Sequence, residues 1–142
     1  AQILGGDGKN ERHTSNVCTP GTTVEMNNKL MTQHCIESKS KTYAGDQWVT
    51  VEFLVLADSL IEHIIDKQVV LSYNKPKIGG GSVINFDPKV KEDGKRLTGG
   101  YISLQSESHP VEFRKVALFD LAPYANNQKK LEKMITKLKA EK

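Results

Sequence analysis

Short runs of strand-favouring residues, separated by turn residues, recur along most of the chain and constrain its fold more than any other feature. Val, Ile and aromatic side chains are concentrated at 49–56, 60–65 and 68–73, and such residues are enriched in β-strands. A segment of helical periodicity occurs near the C-terminal end. Six or seven short strands with one terminal helix indicate an all-β fold, an antiparallel β-sandwich.

Two pairs of adjacent runs predict β-hairpins. Thr22–Met26 and residues 29–35 flank Asn27-Asn28, a pair suited to the positive φ angles of a tight turn. Residues 60–66 and 68–73 form the second candidate, although the apolar spacing within 58–66 also allows a helix. The density of β-branched residues favours strand there.

The segment at 46–56 has apolar side chains of both parities. Val51 and Phe53 belong to one face, and Trp48 and Leu54 belong to the other. This pattern predicts a central strand that is covered on both sides.

The run at 100–116 combines strand alternation with unusual polarity. Ile102 and Leu104 fall on one face, and Pro110 requires a turn or a sheet edge. Val111 and Phe113 share one parity, and Val116 and Leu118 share the opposite one, so a bulge near Arg114 and Lys115 would restore the register. Because bulges often re-aim side chains at a site, the polar loop at 105–109 is a candidate functional region. An ordinary hairpin with a polar turn is the alternative.

Length and charge limit the classes of protein to consider. A chain of 142 residues suits one domain with a real core. The net charge is +3, but residues 129–142 hold six Lys against two Glu, so the remainder is nearly neutral. Nucleic-acid binders carry a basic stripe on the folded domain, and we therefore expect no nucleic-acid partner. No apolar stretch approaches the roughly 20 residues that span a bilayer.

The two cysteines give information about the cellular compartment in which the protein folds. Cys18 and Cys35 flank the first predicted hairpin, which would bring them together and favours a disulfide in an oxidising environment. Two unrelated free thiols are the alternative. The chain begins at Ala1 without Met, which fits a processed exported protein. We therefore expect a periplasmic or secreted protein.

The C-terminal segment predicts a short basic amphipathic helix. Its apolar residues recur at i, i+3, i+4 and i+7 among lysines; they are Leu131, Met134, Ile135 and Leu138. Packing of this helix against the sandwich is the first expectation, and a membrane-surface or partner helix is the alternative.

Two motifs support a family assignment. The run at 100–116 resembles the closing strands of the 3-keto-disaccharide hydrolase family, which end in Gly-Tyr-Ile-x-Leu-Gln and then Val-x-Phe-Arg. The sequence Gly-Asp-Gln-Trp-Val-Thr-Val-Glu at 45–52, followed by Ile-Glu-His-Ile-Ile-Asp at 61–66, is similar to the family's Trp-bearing strand and to the next strand, which carries a His before a turn. The family usually has Asn-Gly at that turn. This chain has Asp66-Lys67, which predicts a longer or differently shaped hairpin.

The resemblance implies a concanavalin-like jelly-roll β-sandwich over residues 1–121, followed by the helix at 122–142. Residues 1–4 are similar to a strand near the middle of the family domain, so the family's first strands have no counterpart among these residues. A sandwich without them would expose an edge and part of its core. The resemblance therefore implies that a second polypeptide or an N-terminal segment completes the sandwich.

The resemblance also implies activity on sugars that are oxidised at carbon 3. The keto group acidifies the hydrogen at carbon 2, a base removes it, and the enolate expels the group at carbon 1 before water adds. This chemistry requires no cofactor. His63 matches the family's His by position and suits a base near neutral pH. Glu107 is the second acid or base candidate.

Several further residues are candidates for binding the sugar. Polar side chains would bind hydroxyls or the enolate oxygen, and aromatic rings would stack on the sugar; these residues are Gln105, His109, Arg114, Trp48 and Tyr101. Structural roles are the alternatives: a hydrogen-bonded strand histidine, solvated loop residues, an ion pair of Arg114 with Glu112 or Glu52, and a core Trp. A non-catalytic carbohydrate-binding sandwich, which would use Trp48 or Tyr101, is the second function considered.

Metal binding is not expected from the ligand spacing. The four histidines are scattered, and there is no Cys-x-x-Cys pattern. A calcium site around Asp7 and Asn10 in the N-terminal loop is a weak alternative.

Overall fold

A computed structural model describes residues 1–80, 83–84, 86–107 and 110–141. These residues form seven β-strands, one 3₁₀-helix (η1) and one α-helix (α1). Antiparallel sheets with one C-terminal helix confirm the predicted all-β class and agree with a concanavalin-like sandwich. The elements are β1 Val17–Cys18, β2 Thr22–Met26, β3 Lys29–Met31, β4 Cys35–Ile36, β5 Val51–Leu56, β6 Leu60–Ile65, β7 Gln68–Ile78, η1 Ala122–Tyr124 and α1 Gln128–Ala140.

The chain separates into two compact units, residues 1–101 and 102–142. The first unit contains both sheets, and the second contains both helices. The domain boundary that the family resemblance places at residue 121 stays a prediction.

A five-stranded antiparallel sheet in the order β3-β2-β7-β6-β5 dominates the first unit. Both predicted hairpins are confirmed, and the helix considered for 58–66 is wrong. Asn27 and Asn28 have φ angles of 52° and 60°, as a tight two-residue hairpin turn requires.

The Asp66-Lys67 turn is also a tight two-residue turn, so the prediction of a longer hairpin is wrong. Ile65 pairs with Gln68 directly across it, and the φ angles of Asp66 and Lys67 are 49° and 65°. Side chains from outside the hairpin hold this strained turn. The Tyr43 hydroxyl donates to Asp66 Oδ2 at 2.9 Å, and Lys41 Nζ lies 3.6 Å from the same oxygen.

A β-bulge interrupts the pairing of β6 with β7. His63 pairs with Leu71 while Ile64 pairs with Val69, which leaves Val70 as the extra residue. Val70 is buried, and its carbonyl oxygen accepts a hydrogen bond from the Lys39 amide at 2.7 Å. The bulge reverses the alternation along β7 and so decides which of its side chains reach each face.

The first half of the segment at 46–56 is not a strand, and β5 is an edge strand rather than the predicted central strand. Pairing of β5 with β6 ends at Val51 opposite Ile65, where β6 turns into the hairpin loop. Residues before Val51 therefore have no partner strand at this end of the sheet. The edge position also explains why Phe53 is 44% exposed.

A second, two-stranded sheet joins β1 to β4. Cys18 and Cys35 are direct partners in it, with their Cα atoms 4.1 Å apart, and form the predicted disulfide. The disulfide encloses the β2–β3 hairpin and anchors the irregular N-terminal region.

A buried polar cluster ties this N-terminal region to the sheet. The hydroxyls of Ser38 and Ser40 donate to the Thr14 carbonyl oxygen, and the Ser38 amide donates to Asn16 Oδ1. All four side chains are buried, so these hydrogen bonds offset the cost of removing them from water.

The strands predicted at 100–116 are not formed. The described residues of that run have no regular secondary structure, and the predicted bulge near Arg114 is therefore absent as well. A strand requires a neighbouring strand to pair with, and none pairs with the described part of the run. Its apolar side chains are consequently exposed; they include Ile102, Leu104, Val111, Phe113 and Val116.

The predicted C-terminal helix is confirmed as α1. Asn127 caps its N-terminus by accepting a hydrogen bond from the Lys130 amide at 3.0 Å, and Leu131 is buried. Across the described ranges, no helix is both long enough and apolar enough to cross a membrane.

Candidate functional site

Strand alternation gives the five-stranded sheet two chemically different faces. Residues that pair directly across strands share a face, and successive residues along a strand point to opposite faces. One side, the buried face, carries Phe53, His63 and Leu71. The opposite side, the polar face, carries Glu25, Glu52, Glu62, Ser72 and Asn74, together with Leu54 and the buried Ile64.

His63 lies at the centre of the buried face and is only 1% exposed. Its Nδ1 lies 2.7 Å from the Ser15 carbonyl oxygen, and its Nε2 lies 3.1 Å from the Tyr73 hydroxyl. Because a carbonyl can only accept, Nδ1 carries the proton and Nε2 accepts from Tyr73. The Phe53 ring meets the imidazole edge-on, with centroids 4.9 Å apart.

Both ring nitrogens of His63 are therefore occupied by partners from the same chain. Burial lowers the pKa of His63 below its ordinary value, although the Ser15 carbonyl opposes that effect, and burial raises the pKa of Tyr73 to about 12. The imidazole is therefore closed off from solvent in this structure. A catalytic role for His63 stays a prediction.

The buried neutral His63 predicts a pH-dependent stability. Its folded-state pKa lies below the unfolded value, so the unfolded chain binds the proton first as the pH falls below about 6.5. The free energy of unfolding should therefore decrease between about pH 6.5 and the folded-state pKa, by at most about 1.4 kcal/mol per pH unit. Urea unfolding at a series of pH values measures the slope.

Two variants make that measurement specific. His63→Gln removes the buried titrating group and should flatten the profile in this range, whereas His34→Gln, at an exposed histidine, should leave it unchanged. An unaltered slope in His63→Gln would contradict the assignment.

The polar face carries three carboxylates in a row across four strands. Glu62 on β6 lies directly opposite Ser72 on β7, and Asn74 lies directly opposite Glu25 on β2. Glu52 on β5 is a diagonal neighbour of Glu62, and such neighbours lie roughly 7–8 Å apart. The three glutamates are half-buried, so a ligand on this face can contact them.

Glu25 is held by two lysines. Lys75 Nζ and Lys77 Nζ lie 2.7 and 2.8 Å from its two carboxylate oxygens. Hydrogen bonds from Lys75 and Lys77 lower the pKa of Glu25 to about 2. Glu25 is therefore ionised at any physiological pH and serves as an acceptor or as an anchor for the two cations.

The positive charge continues beyond Lys77. The backbone of Lys77 pairs with that of Arg96 in an isolated antiparallel β-bridge, and the Arg96 guanidinium forms an ion pair with Asp58. At the β2 and β7 end of the row, cationic and anionic side chains therefore lie next to one another.

Predicted binding residues of the first unit lie outside the sheet. Trp48 is 54% exposed, and Tyr101 is fully exposed. Val49 packs with Val51 against the core cluster of the buried face, and Trp48 lies just before it on backbone outside the strands. Trp48 therefore offers an exposed aromatic surface three residues before β5 begins.

The second unit contains three other predicted site residues, Gln105, Glu107 and Arg114. All three are exposed and belong to backbone without regular secondary structure. His109 lies outside the described residues. Direct contact of these four side chains with a sugar stays a prediction.

Sequence reasoning missed Glu52 and Glu62, although a signal for them was present. Glu62 immediately precedes the predicted base His63, and Glu52 immediately precedes Phe53, so period-2 alternation places both glutamates on the face opposite to His63 and Phe53. The sequence alone does not show which face of the sheet is covered by the rest of the chain.

The calcium alternative at Asp7 has a simpler explanation. The Asp7 carboxylate accepts from the amides of Lys9 and Asn10 and from the Asn10 side chain. Those hydrogen bonds, led by the Asn10 amide, lower the pKa of Asp7 to about 2. Within the described parts of the chain, no group of three or more His, Cys, Asp or Glu side chains could hold a metal ion.

Comparison with known proteins identifies the family. No curated protein and no solved structure matches the chain. Residues 1–118 match the family model described as the 3-keto-alpha-glucoside-1,2-lyase-like domain, which confirms the family predicted from the strand motifs. Since that match spans most of the 142 residues, the chain belongs to the 3-keto-disaccharide hydrolase family.

Proposed function

We propose that the protein cleaves 3-keto-glycosides by elimination, with the sugar bound on the polar face of the five-stranded sheet. The observation that supports the proposal is the row of Glu25, Glu52 and Glu62 with Ser72 and Asn74 between them. Among them, Glu52, Glu62 and Ser72 lie on three adjacent strands and provide carboxylates and a hydroxyl on one face, on a chain of a 3-keto-glucoside lyase-like family.

The reaction begins with proton abstraction at carbon 2 of the sugar. A base takes the proton, and the C2–H electron pair forms an enolate with the 3-keto group. Collapse of the enolate restores the ketone, forms the C1–C2 double bond and breaks the C1–O bond. The departing oxygen takes a proton from an acid, and water then adds across the double bond to give the free 3-keto sugar.

Glu62 is the proposed base. It occupies the middle of the row, between Leu54 and Ser72 on the neighbouring strands, and carboxylates act as bases beside carbonyl groups in other enzymes. Glu52 is placed to protonate the departing oxygen, and the Asn74 amide is placed to donate to the enolate oxygen. Trp48 supplies a surface for the apolar side of the ring.

The protein should convert a 3-keto-glycoside but not the same glycoside with an ordinary hydroxyl at carbon 3, because only the keto group acidifies the carbon 2 hydrogen. Reaction in deuterated water, followed by mass spectrometry, should also show deuterium at carbon 2 of the released sugar. Equal cleavage of both glycosides would contradict elimination. Binding of the sugar without turnover, measured by calorimetry and lost in Trp48→Ala, would instead establish the carbohydrate-binding alternative.

The proposal also includes additional β-strands that complete the sandwich. The edge strand β5 exposes Phe53 and Val55, and the run at 100–119 exposes alternating apolar residues. A sandwich buries such side chains between its two sheets. We infer that strands from a second polypeptide, or from a segment N-terminal to Ala1, cover them.

Hydrogen–deuterium exchange on the protein isolated from its natural source can test this inference. The amides of 100–119 should be protected, and crosslinking of this run should recover the additional strands. Complete exchange of the run within seconds would exclude a covering partner.

An exported location is proposed on the basis of the Cys18–Cys35 disulfide, since structural disulfides persist in oxidising compartments. Cell fractionation should find the protein in the periplasm or the medium, and recovery in the cytoplasm with free thiols would contradict this location.

A further inference from the structure

The helical part of the second unit has a cleft that the proposed carbohydrate chemistry does not use. Tyr124 of η1 and Met134 of α1 form its apolar part, and Lys130, Lys133 and Lys137 surround it. The cleft has a volume of about 320 Å³. Its apolar and cationic lining suits an anionic amphiphile better than a small neutral sugar.

The three lysines form one continuous basic flank of α1. They occur at i, i+3 and i+7, so they follow one another along the helix beside Met134. Each is exposed. The ion pair formed on this flank, Lys137 with Glu141 at 3.4 Å, joins two side chains that are both more than half exposed, and such pairs contribute little.

Negative charge on the helix body lies elsewhere. Glu132 accepts a hydrogen bond from Gln128 at 2.8 Å, and its position on the helix is more than a quarter turn away from the lysine flank. Lys129 and Lys139 lie on the same side of the helix as Glu132. The flank of Lys130, Lys133 and Lys137 is therefore the basic surface that borders the apolar stripe.

We propose that α1 and η1 bind the surface of an anionic lipid bilayer. Lysine ammonium groups would meet the anionic headgroups, while Tyr124 and Met134 would enter the boundary between headgroups and acyl chains. The apolar residues in the cleft favour a bilayer over a hydrophilic polyanion, because a polyanion would leave Met134 and the Tyr124 ring in water. The helix binds on the membrane surface and does not cross it.

The proposal is tested by co-sedimentation of the full chain with vesicles in about 0.1 M salt. The protein should bind vesicles of phosphatidylglycerol and phosphatidylcholine but not vesicles of phosphatidylcholine alone. Lys130→Gln/Lys133→Gln/Lys137→Gln should weaken binding by about a hundredfold, since each lysine near an anionic surface contributes about fivefold. The corresponding triple Lys→Arg variant should bind like the natural protein.

A matched control removes three positive charges elsewhere. Lys9→Gln/Lys29→Gln/Lys89→Gln changes exposed lysines of the first unit and should retain binding within about threefold, because long-range charge effects are screened. Circular dichroism checks that α1 persists in the α1 variant. Met134→Gln should also weaken binding while leaving every charge in place.

Several results would overturn the proposal. They are equal binding to uncharged vesicles, absence of binding to either kind, an equal loss in the control variant, or displacement by millimolar inorganic phosphate. Binding of polyglutamate with the same dependence on the three lysines, and no vesicle binding, would assign the flank to an acidic polypeptide instead.

Discussion

Glu62→Gln should lower kcat for a 3-keto-glycoside by about 100- to 10,000-fold, the range that general acid–base catalysis contributes. The amide keeps the size and the hydrogen-bonding position of the carboxylate but cannot take the carbon 2 proton. KM should change little, because Glu62 would act on the reacting atom and Trp48 and Ser72 would still bind the ring. Initial rates with a reducing-sugar assay would provide both constants.

Two comparison variants make this result specific. Glu37→Gln changes an exposed glutamate outside the strands and should leave kcat within about twofold, as surface substitutions have little effect on the folded state. His63→Gln should lower stability, because it disrupts hydrogen bonds to Ser15 and Tyr73, yet its folded fraction should retain most of the activity. Loss of activity in a fully folded His63→Gln, together with an active Glu62→Gln, would return the catalytic role to His63.

Replacing both cysteines should have the largest effect on stability. The disulfide joins residues 17 positions apart, and closing a loop of that size stabilises a fold by about 3 kcal/mol. Domains of this size have about 5–15 kcal/mol of stability in total, so Cys18→Ser/Cys35→Ser should lose a large fraction of it. Urea unfolding monitored by Trp48 fluorescence can measure the change.

Reduction provides the control for that experiment. The natural protein with reductant should unfold at the same urea concentration as the double variant, and reductant should not alter the double variant. Unchanged unfolding after complete reduction would show that the β1–β4 pairing holds the N-terminal region without the disulfide.

The parts of the fold that were predictable from sequence depend on local interactions. Asn27-Asn28 specifies its turn through residues that accept positive φ, and the hairpin follows from two adjacent runs. The helix at 128–140 follows from the spacing of its apolar residues and from the Asn127 cap. The Asp66-Lys67 turn was misjudged because its support comes from Tyr43 and Lys41, which are distant in sequence.

The strand predictions that were wrong concern segments that have no neighbouring strand with which to pair. Alternation at 100–116 is a requirement for a strand but does not supply the neighbour to which a strand must bond. The same reasoning applies to 46–50, which extends past the last pair, Val51 with Ile65. For the candidate site, the sequence drew attention to β6 but could not show which side of it is covered, since the burial of His63 depends on contact with Ser15, which is 48 residues away in the chain.

The bulge at Val70 allows the two ends of the β6–β7 hairpin to keep different registers. If Val70 paired with His63 in a regular ladder, Leu71 would lie opposite Glu62, and Ser72 would lie opposite Ile61 on the buried side. Because Val70 is left out of the ladder, Leu71 stays on the buried face and Ser72 stays on the polar face. Deletion of the Val70 codon would therefore remove a side chain that packs with Tyr43 and Ile65 but would not exchange the two sides of β7.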